Sequence, residues 1–153
     1  MSKALSILIN NYNYAPYLSE CIQSALDQSV SALEVIVVDD GSVDESRAII
    51  EGFGNRIQAV FQANQGQASA MNRGFLQSKG DLILFLDADD KLLPDCVERV
   101  VQSWETGASK LHFPLNIIND QGKECGEIPA KGKVLPAGDL LHTLLDKGTY
   151  PWM

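Results

Sequence analysis

The chain predicts a doubly wound α/β fold: a mostly parallel sheet with helices on both faces. Three observations carry that prediction. Apolar runs of strand length alternate with segments of helical period; the runs are nearly continuous in Val, Ile and Leu; and the clusters of Asn, Asp and Gly fall just after the runs. Continuous apolar strands are buried on both faces, which is what right-handed crossovers over a parallel sheet produce.

Residues 5–9 read as the first strand, and Pro16 then opens a helix with Leu18, Cys21, Ile22, Ala25 and Leu26 at helical spacing. Residues 33–38 form a β-branched second strand that stops at Asp39-Asp40-Gly41-Ser42. Ser42 and Glu45 have the spacing of a capping box, which predicts a short helix through Ala48, Ile49 and Ile50, closed by Gly52 and Gly54. Residues 56–61 read as the third strand. Residues 67–79 read as the third helix, with Ala70, Gly74 and Phe75 inward and Gly80 as the stop. In the fourth strand five apolar residues, 82–86, end in three carboxylates within four positions: Asp87, Asp89 and Asp90. Pro94 suits a first helical position, and Val97, Val100, Val101 and Trp104 give the next apolar face. Beyond it, residues 110–118 and 123–128 flank a turn at Asn119-Asp120-Gln121-Gly122, so an antiparallel hairpin is expected near the C-terminus. Residues 129–133 read as a mobile loop. Residues 137–145, with Leu140, Leu141, Leu144 and Leu145, read as one more helix.

The length of 153 residues fits one domain, and a 45% hydrophobic composition supplies a core. No apolar run approaches the ~18–20 residues of a membrane span, and the N-terminus enters a strand rather than a signal peptide, which predicts a cytoplasmic protein. Cys21, Cys96 and Cys125 are odd in number and far apart, as reduced thiols are, not a disulfide framework or a zinc site. With 20 acidic and 12 basic residues the net charge of −8 opposes binding to nucleic acid or to an anionic membrane surface. A phosphate ligand would need help from a metal or from helix N-termini.

In open α/β sheets ligands bind beyond the carboxyl ends of the strands. Four polar clusters fall there: Asn10-Asn11-Tyr12, Asp39-Asp40-Gly41-Ser42, Asn64-Gln65-Gly66 and Asp87-Ala88-Asp89-Asp90. No glycine lies between Ile9 and Leu18, so the dinucleotide-binding turn is missing, and no phosphate-cradling Gly-Lys-Ser/Thr loop occurs. Alternate residues of an extended strand share a side, so Asp87 and Asp89 are expected to converge on one ligand, roughly 6–7 Å apart. Their oxygens suit Mg²⁺ or Mn²⁺ carrying substrate phosphates. A solvated Asp-rich turn is the ordinary alternative. Acids at two strand ends suit a nucleoside diphosphate joined to a leaving group.

The stretches 6–14 with Leu18, Ile22, Ser24 and Gln28, 34–44, Asn64-Gln65-Gly66 with Ala70, Asn72 and Gly74, and 80–90 together resemble the N-terminal part of a family 2 glycosyltransferase with the GT-A fold, over residues 4–105. The resemblance implies inverting transfer of a sugar from a nucleotide-diphosphate donor, a UDP-sugar favoured, to an acceptor hydroxyl with help from Mn²⁺ or Mg²⁺. The acceptor would be a saccharide or lipid-linked saccharide, and the setting cell-surface polysaccharide or glycoconjugate synthesis. Asp87-Ala88-Asp89 matches the family's Asp-x-Asp motif, in which the first acid holds the ribose or a metal-bound water and the last coordinates the metal. Asp39 or Asp40 matches the acid that meets the base, with Asn10, Asn11 and Tyr12 beside it. Asn72 and Arg73 would approach the donor from the third helix, where Met71 stands at the arginine position of many relatives. The general base would lie beyond residue 153, so the resemblance implies a truncated single GT-A-like domain, 1–153. In it, 4–105 is the nucleotide-sugar core and 106–153 begins the acceptor side. The full-length protein would work at the inner face of the membrane, and the leucines of 137–145 would favour association with another copy or a partner. A non-catalytic nucleotide-sugar-binding module is the other reading. His112 and His142 read as structural, and Trp104 and Phe75 as core rather than stacking platforms.

Overall fold

In the computed structural model β1 (Leu5–Asn11), β2 (Glu34–Asp39), β3 (Gln58–Phe61) and β4 (Leu82–Asp87) form one sheet in the order β3-β2-β1-β4, and every pairing is parallel. The described residues are 3–111, 113, 115–119 and 121–125. Met1–Glu105 and Thr106–Met153 are two compact units, and the sheet belongs to the first.

The chain steps outward from β1 through β2 to β3 and then returns to the far side of β1 for β4. That reversal puts a topological switch point between β1 and β4, the place where such sheets bind ligands. α1 (Ala15–Leu26) packs on β1, β2 and α2 (Ser46–Gly52), whereas α3 (Gln67–Phe75) packs on β1 and β2. Leu8, Ile36, Val38 and Val60 form a buried cluster with Ala70 of α3. Ile7, Ile9, Val35 and Val37 alternate with them onto the other face, where α1 buries Leu18, Cys21, Ile22 and Ala25. Gly74 is where α3 comes closest: a Cβ there would sit 2.6 Å from Leu8 Cδ1.

Several boundaries differ from those the sequence predicts. β1 runs through Asn11, so Asn10 and Asn11 are strand residues paired in register with Val38, Asp39 and Asp87. A short 3-10 turn, Gly54–Arg56, precedes β3. α3 ends at Phe75, which is 55% exposed, because Ala70 and Gly74 already fill the sheet-facing stripe. Among the described residues β4 ends the sheet, and its apolar run is covered on one face, so it is buried at alternate positions and Phe85 is 50% exposed. Pro94 lies in the turn before α4 (Cys96–Ser103) instead of at its first position. No side chain of Ser42 caps α2.

In the second unit Ile118 and Glu124 form an antiparallel bridge. The N–H of Gly122 donates to the Asn119 carbonyl at 2.9 Å, and that of Cys125 to the Ile117 carbonyl at 2.9 Å. The expected hairpin is this bridge and its turn among the described residues. The end of its second arm at 126–128, the 129–133 loop, the 137–145 helix, His112 and His142 lie outside them. Among the described residues no helix is long and apolar enough to cross a membrane.

Candidate functional site

The carboxyl ends of β1, β2 and β4 and the segment 62–66 ahead of α3 form one rim. On its α1 side Asn11 and Asp39 are register partners. Asn11 Nδ2 donates to Asp39 Oδ1 at 2.7 Å and to Ser42 Oγ at 3.1 Å. The Ser42 hydroxyl donates to Asp39 Oδ1 at 2.5 Å, and the Ser42 N–H to Oδ2 at 3.1 Å. Asp39 is therefore a buried carboxylate held by three donors. Ser42 Oγ also accepts from the Asn13 N–H at 2.9 Å, while Asn13 Oδ1 accepts from the Val43 N–H at 2.8 Å. These bonds stitch the β1–α1 loop, with Tyr12 at 45% exposure, onto the β2–α2 loop.

The cap that the sequence assigns to Ser42 belongs to Asp44. Its Oδ2 accepts from the Ala15 N–H and its Oδ1 from the Ser46 N–H, both at 3.0 Å, so one carboxylate serves the first turns of α1 and α2. Burial opposes ionisation of Asp44, but the hydrogen bonds from Ser46 and Ala15 outweigh it and hold its pKa below the ordinary value.

Asp40 turns to the other face. Its Oδ1 accepts from Gln62 Nε2 at 2.7 Å and the Gln65 N–H at 2.9 Å, and its Oδ2 from the Gly66 N–H at 2.7 Å. Burial again opposes ionisation, and the bonds from Gln62, Gln65 and Gly66 prevail, lowering the pKa. Asp40 thus fastens β2 to the entry of α3. Gly41 has φ +76°, and a Cβ there would sit 2.7 Å from the Asn64 nitrogen, so only glycine lets the two loops lie this close.

At the acidic tip the strand ends with Asp87, and Ala88 and Asp89 occupy a turn closed by the Asp90 N–H on the Asp87 carbonyl at 3.0 Å. The direction of Asp89 is set by this turn, not by the strand alternation used to predict it. Gln67, the first residue of α3, donates Nε2 to Asp87 Oδ1 at 2.9 Å. Burial first, then the charges of Asp89 and Asp87, raise the pKa of Asp90. The ion pairs within residues 3–105 are Arg47–Glu51, Lys91–Glu20 and Arg99–Asp95, and none takes in these three acids. Beneath them the buried Cys21 thiol donates to the Asp87 carbonyl at 3.4 Å. Burial and the charges of Asp90, Asp89 and Asp87 hold that thiol far above its ordinary pKa.

Asn10 Oδ1 and Asn11 Oδ1 are buried without a partner. These two oxygens and the carboxylates of Asp87, Asp89 and Asp90 suit a ligand that presents N–H, O–H or a cation. Among the described residues no three His, Cys, Asp or Glu side chains are grouped to hold a metal, so a cation at Asp89 would take further ligands from a substrate. Asn72 and Arg73 are exposed on α3, whose Ala70 and Gly74 face the sheet, and Arg73 sits in the last turn, ~9 Å along the axis from Gln67. Gln62 and Gln67 join the site without a sequence signal, while Ser42, part of the Asp39–Ser42 cluster that the sequence places on the rim, bonds Asp39 instead of capping α2.

A family model described as Glycosyl transferase family 2 matches residues 6–124. An uncharacterized glycosyltransferase of Nostoc sp. is 40% identical over 150 residues, which cover 94% of this chain and 46% of that protein. Chondroitin synthase of Escherichia coli is 41% identical over 97 residues, 61% of this chain and 14% of that protein. The chain therefore spans less than half the length of either relative. Among solved structures, S. aureus TarS 1-349 in complex with UDP-GlcNAc matches with a TM-score of 0.59 and 27% identity, covering 65% of this chain and 30% of that one.

Proposed function

The chain belongs to glycosyl transferase family 2, and we propose that its rim is the donor site of a glycosyltransferase, which holds a nucleoside diphosphate sugar for transfer to an acceptor hydroxyl with inversion. The observation that carries this reading is two orphaned Asn oxygens at the switch point, beside acids that make no ion pair within residues 3–105.

In this reading the base lies against Tyr12, with its N–H groups on Asn11 Oδ1 and the Asp39 side. Asp40 acts from behind, keeping the entry of α3 and hence Gln67 in place. Asp87 takes the ribose hydroxyls or a metal-bound water, and Asn10 Oδ1 accepts a donor from the same ligand. Asp89 coordinates the metal. Asp89, with Asp87 beside it, offers carboxylate oxygens to a divalent cation whose remaining ligands would be substrate phosphates. When bound, Mn²⁺ or Mg²⁺ supplies Lewis-acid neutralisation of the diphosphate leaving group. The protein's own groups bind and orient the nucleotide around it. Asn72 and Arg73 have no part in this arrangement.

The binding of UDP-GlcNAc by TarS supports a UDP-sugar as donor. A saccharide or lipid-linked saccharide acceptor, a general base outside residues 1–153, an acceptor side beginning in 106–153, self-association and work at the cytoplasmic face of a membrane in cell-surface glycan synthesis complete the proposal. A thermal-shift panel of UDP-, GDP- and dTDP-sugars with Mg²⁺ or Mn²⁺ tests it, because a ligand at ~100 times its Kd adds about 2.7 kcal/mol of stability. The UDP-sugar with Mn²⁺ should shift the melting point most. A panel without any shift would sink the proposal; a shift without release of UDP would favour the binding-module reading.

A further inference from the structure

The acidic turn has a second anchor besides β4, in α1 and the residues that follow it. Glu20, Cys21 and Ser24 share one stripe of α1, Gln28 lies two residues past its end, and each touches the segment 87–97. Cys21 Sγ donates to the Asp87 carbonyl, Ser24 Oγ accepts from the Leu92 N–H at 3.1 Å, and Glu20 pairs with Lys91. The Ser29 N–H donates to the Pro94 carbonyl at 2.7 Å.

Gln28 does the most. Only 8% exposed, it donates Nε2 to the Ser24 carbonyl and to the Leu93 carbonyl, each at 2.9 Å, and accepts the Val97 N–H on Oε1 at 2.9 Å. Both amide hydrogens are used, and a flipped amide would set NH₂ against the Val97 N–H. The last of these bonds also gives α4 a cap from outside, since its own N-cap residue, Asp95, makes no side-chain cap bond. The segment between the acids and α4 has no regular structure, so its backbone groups depend on these partners.

We propose that Gln28, with Ser24, is a positioning residue for the metal and diphosphate end of the donor site. This rests on the donor-site reading above. Asp87, Asp89 and Asp90 crowd one short turn, and β4 fixes only its entrance. Gln28 and Ser24 restrain its exit, so the carboxylates are already placed when the cation arrives. Neither side chain touches the nucleotide.

Two titrations of the chain separate this role from general support of the fold: uridine alone, and UDP with and without Mn²⁺. Gln28→Met keeps the volume and removes the three bonds; Ser24→Ala removes the Leu92 partner together with the hydroxyl's own bond to the Cys21 carbonyl within α1. The strengthening of UDP binding by Mn²⁺ should fall about tenfold in Gln28→Met and a few-fold in Ser24→Ala, as for other groups that orient metal ligands, with uridine affinity within twofold of wild type. An unchanged Mn²⁺ effect in both variants would overturn the role, as would an equal loss for uridine, which would mean a generally loosened fold. Should Gln28→Met not fold, the same criteria applied to Ser24→Ala decide. A wild-type chain whose UDP binding ignores Mn²⁺ contradicts the donor-site reading itself and takes this inference with it.

Discussion

Replacing Asp40 by Ala removes a buried carboxylate that three donors share, from Gln62 Nε2, the Gln65 N–H and the Gly66 N–H. A hydrogen bond to a charged group is worth about 1.5–3 kcal/mol, and breaking a buried charged network costs about 3–5 kcal/mol. Gln65 and Gly66 are exposed, so their N–H groups can be hydrated once the carboxylate is gone, which puts the expected cost at the lower end, about 3 kcal/mol. With a urea slope of about 2 kcal/mol per molar, the unfolding midpoint should fall by about 1.5 M. Asp40→Asn keeps one acceptor oxygen and should lose roughly half as much.

The pH dependence fixes the cause. The folded pKa of Asp40 lies below its ordinary value of 3.8, so the stabilisation is present above that value and is lost as the pH falls through the lowered pKa. Urea midpoints of wild type and Asp40→Asn should therefore stand apart at neutral pH and converge below about pH 4. A midpoint change under about 0.5 M, or a gap indifferent to pH, would refute the assignment of Asp40 as the clasp of α3.

Three further outcomes follow from the same contacts. Asn11→Asp sets a second carboxylate against Asp39 in place of an N–H donor that bonds Oδ1 at 2.7 Å, so its destabilisation should grow as the pH rises from about 4 to 7 and both acids ionise; a pH-independent loss would contradict it. Gly74→Ala drives a Cβ into the buried Leu8 side chain and should cost about 1–2 kcal/mol despite its better helix propensity; a more stable variant in urea would show that α3 can move away. In the native chain at pH 8 iodoacetamide should modify the exposed Cys125 quickly and the buried Cys21 only after urea is added, and equal rates would contradict the packing of α1 on the acidic turn.

The sheet was legible because its strands are short apolar runs that stop at polar clusters, a pattern that burial on both faces imposes. The rim was legible as composition but not as geometry. Asn10 and Asn11 looked like a loop since polar residues rarely continue a central strand, and they do so here with two oxygens unpartnered. Ser42 and Glu45 have the spacing of a cap, yet spacing does not reveal that the Ser42 hydroxyl is committed to Asp39 while Asp44, two residows before Ser46, does the capping. Phe75 looked internal because it follows Gly74 on an apolar helix, but α3 needs only small residues where it touches Leu8. Gln67 carried no signal, and Gln28 entered only as part of the family resemblance, with no role attached. A glutamine is ordinary on a helix, and its role here depends on partners 20 and 69 residues away.

Asp89 is the proposed ligand of a metal that joins the chain to a nucleoside diphosphate. Calorimetric titration of UDP into wild type and Asp89→Ala, with and without Mn²⁺, tests that directly. Wild type should bind UDP more tightly with Mn²⁺, and Asp89→Ala should lose that gain while keeping the metal-independent affinity and an unchanged circular dichroism spectrum. An Asp89→Ala chain that still binds UDP more tightly with Mn²⁺, to the same extent as wild type, would contradict it.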